Sequence, residues 1–198
     1  MYDFIFGPDV DPAAAAGAPD AGEGTASGTP GDWWPTFAND PAVFDHCVSG
    51  FMLYRGSESY LPPKLRELGQ IRAGWNRGSV FVYSQHAKAM RSHGFTEEQI
   101  EAIPAWSVAD CFSPIERAVL AFTDALVLDG GRVPEPVFDA LRAELDDRQI
   151  LALGYITMLY ELHATLSKAF RTEYDDVDEP CQEIGEREPL KVADSERA

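Results

Sequence analysis

Cysteine, basic residues and long apolar runs are all scarce in this chain of 198 residues. Its three cysteines, Cys47, Cys111 and Cys181, lie far apart and in no spacing that binds zinc or forms a redox pair. This excludes a disulfide scaffold and a zinc ribbon, and it fits a reducing cytosol. There is no run of about 18 apolar residues and no basic, apolar leader, so we expect neither a membrane-spanning helix nor a secretory signal. The sequence therefore predicts a cytoplasmic protein.

The chain has 16 Lys and Arg residues against 33 Asp and Glu residues, which gives a formal net charge of −17. Residues 1–54 contain eight acidic residues and no Lys or Arg, and residues 173–198 contain ten acidic residues against three basic ones. Such an acidic chain repels a phosphate backbone, so we expect no nucleic-acid partner. The four histidines show no close spacing and no glycine-rich phosphate loop is present. We therefore expect neither a metal nor an organic cofactor.

Composition divides the chain into three segments. Residues 1–37 are predicted to be a flexible acidic arm, because most of this stretch is Ala, Gly, Pro, Asp and Thr and lacks enough large apolar residues to offset the entropy of ordering. Trp33 and Trp34 predict an anchor that packs on the domain or on a neighbouring subunit, with a ligand-pocket lid as the alternative. Residues 38–172 are predicted to form a helical domain, and residues 173–198 an acidic tail.

Hydrophobic periodicity and end signals predict an all-α domain, and no segment shows the period of two that a strand requires. Capping boxes at Thr96 and Ser113 and several glycine breaks delimit the elements. The predicted helices cover about 41–54, 63–77, 79–92, 96–103, 113–128, 134–145 and 148–171.

Glu67 and His86 are the candidate catalytic pair. They lie on the second and third predicted helices, which a glycine-containing turn joins and which should pack as a hairpin. This packing would bring both groups into an apolar pocket lined by Trp75, Phe81 and Val82. A carboxylate in such a pocket orients the imidazole and raises its basicity. Without other information, a Glu and a His nineteen residues apart are more often an exposed carboxylate and a hydrogen-bonded core histidine.

Four further residues are candidates for substrate binding. Ser79 and Tyr83 share a helix face with His86 and would bind or polarise the substrate. Arg66 and Arg72 could hold a substrate carboxylate by two parallel hydrogen bonds, and the alternative for each is an ion pair.

The remaining histidines and their neighbours are interpreted structurally. Cys47 is interpreted as a core residue, because its helical neighbour His46 points in a different direction. His93 precedes a helix-ending glycine and is interpreted as a cap. His163, beside Glu161, either enters the site from another helix or makes a polar contact at a subunit interface.

The segment that contains this pair resembles the carboxymuconolactone decarboxylase and AhpD-like superfamily. The resemblance covers about 40–172. The motifs that carry it are, in order, Pro-x-Lys-Leu-Arg-Glu-Leu at 62–68, the break at 76–78, His86, Gly-Phe-Thr-Glu-Glu-Gln-Ile at 94–100, and the segments 137–141 and 147–150 before a long helix. The resemblance implies an AhpD-like helical bundle that assembles as a homotrimer or a hexamer of trimers. Apolar residues at 51–54 and 158–160 are the expected contacts between subunits.

The peroxidase branch of this superfamily uses Glu-x11-Cys-x2-Cys-x3-His, which here reads Glu67-x11-Ser79-x2-Val82-x3-His86. Neither serine nor valine can cycle through sulfenic acid and disulfide. The resemblance therefore implies the decarboxylase-like branch. In that branch, His86 would be the general acid or base and Glu67 its partner. The substrate would be a small carboxylated or carbonyl compound, and the reaction a decarboxylation, isomerisation or related lyase step without a cofactor. An AhpD-like peroxidase and a non-catalytic ligand-binding oligomer are the alternatives.

Overall fold

The computed structural model describes residues 33–55 and 60–172, and every regular element in these two ranges is helical. The elements are α1 (Trp33–Phe37), α2 (Pro41–Arg55), α3 (Pro63–Arg77), α4 (Val80–Ser92), α5 (Glu97–Ala102), a 3₁₀ helix (Ile103–Val108), α6 (Pro114–Val127), α7 (Glu135–Arg142) and α8 (Asp147–Phe170). The all-α prediction is confirmed. The predicted flexible arm over residues 1–32 and the predicted acidic tail lie outside the described residues.

Local signals place most of the helix ends. Ser79 caps α4 by accepting a hydrogen bond from the backbone nitrogen of Val82, and α5, α6 and α8 each begin with a complete capping box. Gly78 ends α3 in the left-handed conformation, with φ of 63°, which glycine adopts without strain. The 3₁₀ helix was not predicted, because a kink at Ala105 interrupts the regular period there.

Helix α3 is the centre of the bundle, and α4, α6 and α8 pack around it. Two glycines within α3 allow this close packing. A Cβ atom at Gly69 would lie 2.6 Å from Oγ1 of Thr157 on α8, and one at Gly74 would lie 3.0 Å from the backbone nitrogen of Tyr83 on α4. The absence of side chains at these two positions therefore sets the distance between the helices that carry the site.

Helix α1 belongs to the core of the domain. Trp33 is 1% exposed and stacks on Phe37, with 4.4 Å between ring centroids. Its ring also lies 5.5 Å from that of Phe51 on α2. Trp33 and Phe37, which lie within the segment 1–37 predicted as an arm with a tryptophan anchor, thus pack on the aromatic core of the helical domain.

Among the described residues, α8 alone has the length and apolar composition of a helix that could cross a membrane. Half of that apolar stretch is buried inside the fold, as expected for the core helix that packs on α3. Its outward face carries a row of exposed apolar side chains at helical spacing, namely Leu151, Tyr155, Met158 and Leu162.

Candidate active site

The structure brings the predicted pair, Glu67 and His86, into direct contact. Oε2 of Glu67, on α3, lies 2.7 Å from Nδ1 of His86, on α4. Both side chains are at least 95% buried. A contact this short in a dry environment is a strong hydrogen bond that fixes the orientation of the imidazole ring.

Arg66 binds the second oxygen of the same carboxylate. Its Nε and Nη2 atoms donate to Oε1 of Glu67 at 3.0 and 2.8 Å, and Nη1 donates to the backbone carbonyl of Tyr54 at the end of α2. The amide of Gln70, one turn further along α3, lies 3.2 and 3.1 Å from Oε1 and Oε2 of Glu67, and the amide orientation that satisfies its hydrogen bonds turns the nitrogen toward both oxygens. Glu67 therefore receives donors from three side chains.

These partners keep Glu67 ionised. Burial alone would raise the pKa of this carboxyl. The hydrogen bond and charge of His86, together with the Arg66 guanidinium, outweigh burial and lower the pKa to about 2. A carboxylate that is ionised and surrounded by donors is a poor proton acceptor.

A cavity of about 60 Å³, partly open to solvent, lies against this network. Its lining combines the charged and amide groups with apolar and aromatic walls from α2, α4 and α8: Phe51, Tyr54, Arg66, Glu67, Gln70, Gln85, His86, Ala89, Ile156 and Tyr160. The Tyr160 ring stands nearly perpendicular to the His86 ring, at 86° with 4.5 Å between centroids. Burial raises the pKa of Tyr54 to about 12, with neighbouring tyrosines adding to the effect, so its hydroxyl stays protonated.

Three of the residues predicted to bind substrate or line the pocket are placed outside the cavity lining. Ser79 is buried, and its hydroxyl oxygen caps α4 by accepting a hydrogen bond from the backbone nitrogen of Val82. Tyr83 donates its hydroxyl to the carbonyl of Ile100, and Val82 packs against Gly74 in the hairpin. The expectation that they contact a ligand is corrected, because the N-terminal part of α4 faces α3 and α5.

Arg72 and Trp75 are also placed away from the cavity. Arg72 makes a two-pronged ion pair with Asp124 on α6, at 2.7 and 2.9 Å. Trp75 packs beside the ring of Tyr83. Arg66 does line the cavity, but its guanidinium is held by Glu67 and Tyr54. Each arginine therefore forms an ion pair within the protein, Arg66 with Glu67 and Arg72 with Asp124, instead of the predicted free site for a substrate carboxylate.

The remaining predictions have mixed outcomes. Cys47 is buried in the core as predicted. His93 occupies the C-cap of α4 as predicted, and its Nε2 atom also comes within 4.0 Å of Oε1 of Glu67. His163 is neither in the cavity lining nor on the surface. It is 2% exposed and lies within the aromatic core, 4.8 Å from the Phe51 ring centroid, so the predicted interface contact is wrong.

Sequence reasoning missed several lining residues that the fold brings together. Gln70 carries a local signal, because it lies three residues after Glu67 on the same helix face. Gln85 directly precedes His86 and lies one turn before the lining residue Ala89. Phe51 and Tyr160 lie on α2 and α8, far away in sequence, and no local pattern assigns them to this pocket.

The matching family is the carboxymuconolactone decarboxylase family, whose sequence model matches residues 44–125, less than half of the chain. The uncharacterised protein YdfG of Bacillus subtilis (strain 168) is 33% identical over 92 residues, which cover 46% of this chain and 63% of YdfG. The match therefore spans less than two thirds of that relative.

Solved structures share the fold. One is a protein of unknown function from Agrobacterium tumefaciens, proposed to be the antioxidant defence protein AhpD (TM-score 0.65, 22% identity, 70% of this chain and 94% of that one). The debrominase Bmp8, solved with 2,3,4-tribromopyrrole, has a TM-score of 0.68 at 14% identity over 85% of this chain and 86% of its own. A peroxidase-related protein from Silicibacter sp. TM1040 has a TM-score of 0.66 at 16% identity, over 74% and 78%. Residues 44–125 are thus similar to the carboxymuconolactone decarboxylase family, and the fold is shared with AhpD-like and peroxidase-related proteins.

Proposed function

We propose that the protein is an acid–base enzyme of the carboxymuconolactone decarboxylase type, acting on a small carboxylated or carbonyl substrate. The observation that carries the proposal is the buried hydrogen bond between Glu67 and His86 at the wall of a cavity. Because Glu67 is ionised, it accepts a hydrogen bond from the Nδ1–H group of the His86 imidazole. The opposite nitrogen, Nε2, is then the atom that exchanges a proton with the substrate.

The chemistry of the surrounding groups supports proton transfer. Arg66 and Glu67 are oppositely charged and balance each other before the reaction. When His86 takes a proton, the nearby carboxylate stabilises the resulting imidazolium. Phe51, Ile156 and Tyr160 give the cavity an apolar wall, in which these electrostatic interactions are stronger than in water. The imidazolium can then return the proton to another carbon of the substrate. After a decarboxylation, it returns the proton to the carbon that has lost carbon dioxide.

The placement of Cys47 and Cys111, the cysteines within the described ranges, argues against the alternative of a thiol peroxidase. Burial raises the pKa of the Cys47 thiol, and the pKa of Cys111 is also raised, chiefly by burial. Neither residue lines the cavity. A peroxidase needs a thiolate that peroxide can reach. Two thiols with raised pKa values, away from His86, do not meet that requirement.

We also propose that a second copy of the chain covers the outer face of α8. Leu151, Tyr155, Met158 and Leu162 form an exposed apolar row with spacings of four, three and four residues, the pattern of a helix-packing seam. Tyr155 lies beside Tyr54, with 6.4 Å between the ring centroids, and Tyr54 lines the cavity. A homotrimer or hexamer packed through this row would place each site near a subunit interface.

The test is a turnover assay with β,γ-unsaturated γ-lactones, with and without a ring carboxyl group, followed by NMR. We expect the wild type to isomerise or decarboxylate at least one of them. The His86→Gln variant should lose about 10²–10⁴-fold in rate. The matched control is His46→Gln, the same change at an exposed histidine, which should keep wild-type activity.

Three results would contradict the proposal. Turnover that survives His86→Gln would remove His86 from the reaction. Binding of these compounds without turnover would favour the non-catalytic ligand-binding alternative. Peroxide reduction with a dithiol donor that depends on the cysteines would instead support the peroxidase.

A further inference from the structure

Gln85 carries a buried amide donor that the described part of the chain leaves unused. Its side chain lines the cavity and is only 7% exposed. Its Nε2 atom is buried from solvent and donates to no acceptor among the described residues. Buried amide groups are normally hydrogen-bonded, so an unpaired one at a cavity wall is a donor that a bound molecule can use.

Two neighbouring donors of the site, Gln70 and Arg66, are already engaged. The amide of Gln70 is oriented to donate to Glu67. The guanidinium of Arg66 donates to Glu67 and to the backbone carbonyl of Tyr54. Gln85 instead lies next to His86 in sequence, on the same cavity, so its donor is available to the molecule on which His86 acts.

We propose that Nε2 of Gln85 holds the carbonyl oxygen of the substrate, and that the substrate class is small, enolisable carbonyl compounds. This rests on the proposed acid–base function of His86. In the reaction, Nε2 of His86 takes a proton from the carbon next to the carbonyl. The C–H electron pair becomes a C=C bond, and the carbonyl π pair moves to oxygen. The enolate oxygen then accepts the Gln85 hydrogen bond, and the proton returns to a different carbon.

Size and charge fit this class. The cavity of about 60 Å³ is less than half of the roughly 150 Å³ that holds a benzene molecule in an engineered protein. It therefore encloses the reacting carbonyl end, and the open side admits the rest of the substrate. The cation formed on His86 and the neutral donor on Gln85 together match the single negative charge that develops on the enolate oxygen.

The test combines one binding probe with one reactive probe. The binding probe is γ-valerolactone, a saturated lactone, added to the ¹⁵N-labelled wild type. The Gln85 side-chain NH₂ signals are assigned by their absence in Gln85→Met, and we expect them to shift on addition. The reactive probe is α-angelica lactone, whose double bond moves into conjugation by the proton transfer described above. Gln85→Met should lower kcat for this isomerisation by about 10²–10³-fold and change KM far less.

A second variant separates hydrogen bonding from packing. Gln85→Glu keeps the size of the side chain but replaces the donor with a negative charge, so it should be at least as slow as Gln85→Met. Isomerisation within about threefold of wild type in both variants would overturn the inference and leave the function of His86 intact. A shift of the Gln85 signals without any wild-type turnover would support the carbonyl site and contradict the acid–base function. Unshifted signals at saturating lactone would overturn the carbonyl site whatever the variants do.

Discussion

Arg66 and Glu67 are neighbours in sequence on α3, yet their side chains form a buried ion pair, with Nη2 of Arg66 2.8 Å from Oε1 of Glu67. Adjacent helical residues ordinarily point apart. Burying two charges is unfavourable unless both are well hydrogen-bonded. Here His86 and Gln70 supply the carboxylate with further donors, and the Tyr54 carbonyl receives the guanidinium. The site therefore depends on a charge network that must be present as a unit.

The first prediction concerns that unit. Glu67→Gln should lower the free energy of unfolding by about 3–5 kcal/mol, because it leaves the Arg66 charge buried without its partner. The double variant Arg66→Met/Glu67→Gln should be destabilised by less than the sum of the two single variants. Urea denaturation of all four proteins measures the coupling in a double-mutant cycle.

The control for this cycle is an exposed pair. Arg91 and Glu97 also form an ion pair, at 2.7 Å, but the Glu97 side chain is 59% exposed and that of Arg91 31% exposed. The same cycle at those positions should give no measurable coupling. Additive effects at Arg66 and Glu67, within about 0.5 kcal/mol, would show that the buried pair does not stabilise the fold as a unit.

The sequence predicts the local features of this molecule better than the composition of its pocket. Helix ends follow from residues a few positions apart, such as Ser79, Gly78 and the capping boxes. The meeting of Glu67 and His86 follows from a helical hairpin closed by a short turn. The sequence does not predict the walls of the cavity, because Phe51 and Tyr160 lie on helices that are distant along the chain. The arginine partners were also missed, since Arg66 binds its own neighbour and Arg72 binds Asp124, which lies 52 positions away.

The second prediction concerns pH and His163. Burial, and then the charge of His86, lower the pKa of His163 from 6.5 to about 3. Between those values the unfolded chain binds a proton that the folded protein does not, so stability falls as the pH is lowered from 6.5 toward 3. The slope for one proton is about 1.4 kcal/mol per pH unit. His163→Leu should remove this loss, which chemical denaturation at a series of pH values will show.

The comparison between wild type and His163→Leu isolates this one group. Glu67 has a lowered pKa, so its stabilisation is lost only as the pH falls from about 4.5 toward 2. That loss occurs in both proteins and cancels in the difference. Parallel stability curves between pH 6.5 and 4.5 would mean that His163 takes up a proton in the folded state as readily as in the unfolded chain.

The third prediction concerns the helical hairpin that carries the site. Gly74→Ala would place a methyl group 2.9 Å from Cγ1 of Val82 and 3.0 Å from the backbone nitrogen of Tyr83. Because a backbone atom cannot turn away, α3 and α4 must separate, which should cost about 1–3 kcal/mol. Gly154→Ala is the matched control, since its methyl group meets Phe122 at 3.5 Å, an ordinary contact. That control should be neutral or slightly stabilising, because alanine favours helix. Equal melting temperatures for the two variants would show that the hairpin tolerates separation.

The last prediction concerns assembly through the outer face of α8. Met158→Lys/Leu162→Lys puts two charges into the exposed apolar row, at positions that do not line the cavity. If a second copy of the chain covers this row, burying those charges is costly and the assembly should dissociate. We expect light scattering to give a trimer or hexamer of the 21.8 kDa chain for wild type and a smaller species for the variant, with unchanged helical content by circular dichroism. Asp139→Lys, an exposed change on α7, should leave the mass of the assembly unchanged. A wild-type monomer at micromolar concentration, or a variant that assembles as wild type does, would show that this face is not the subunit interface.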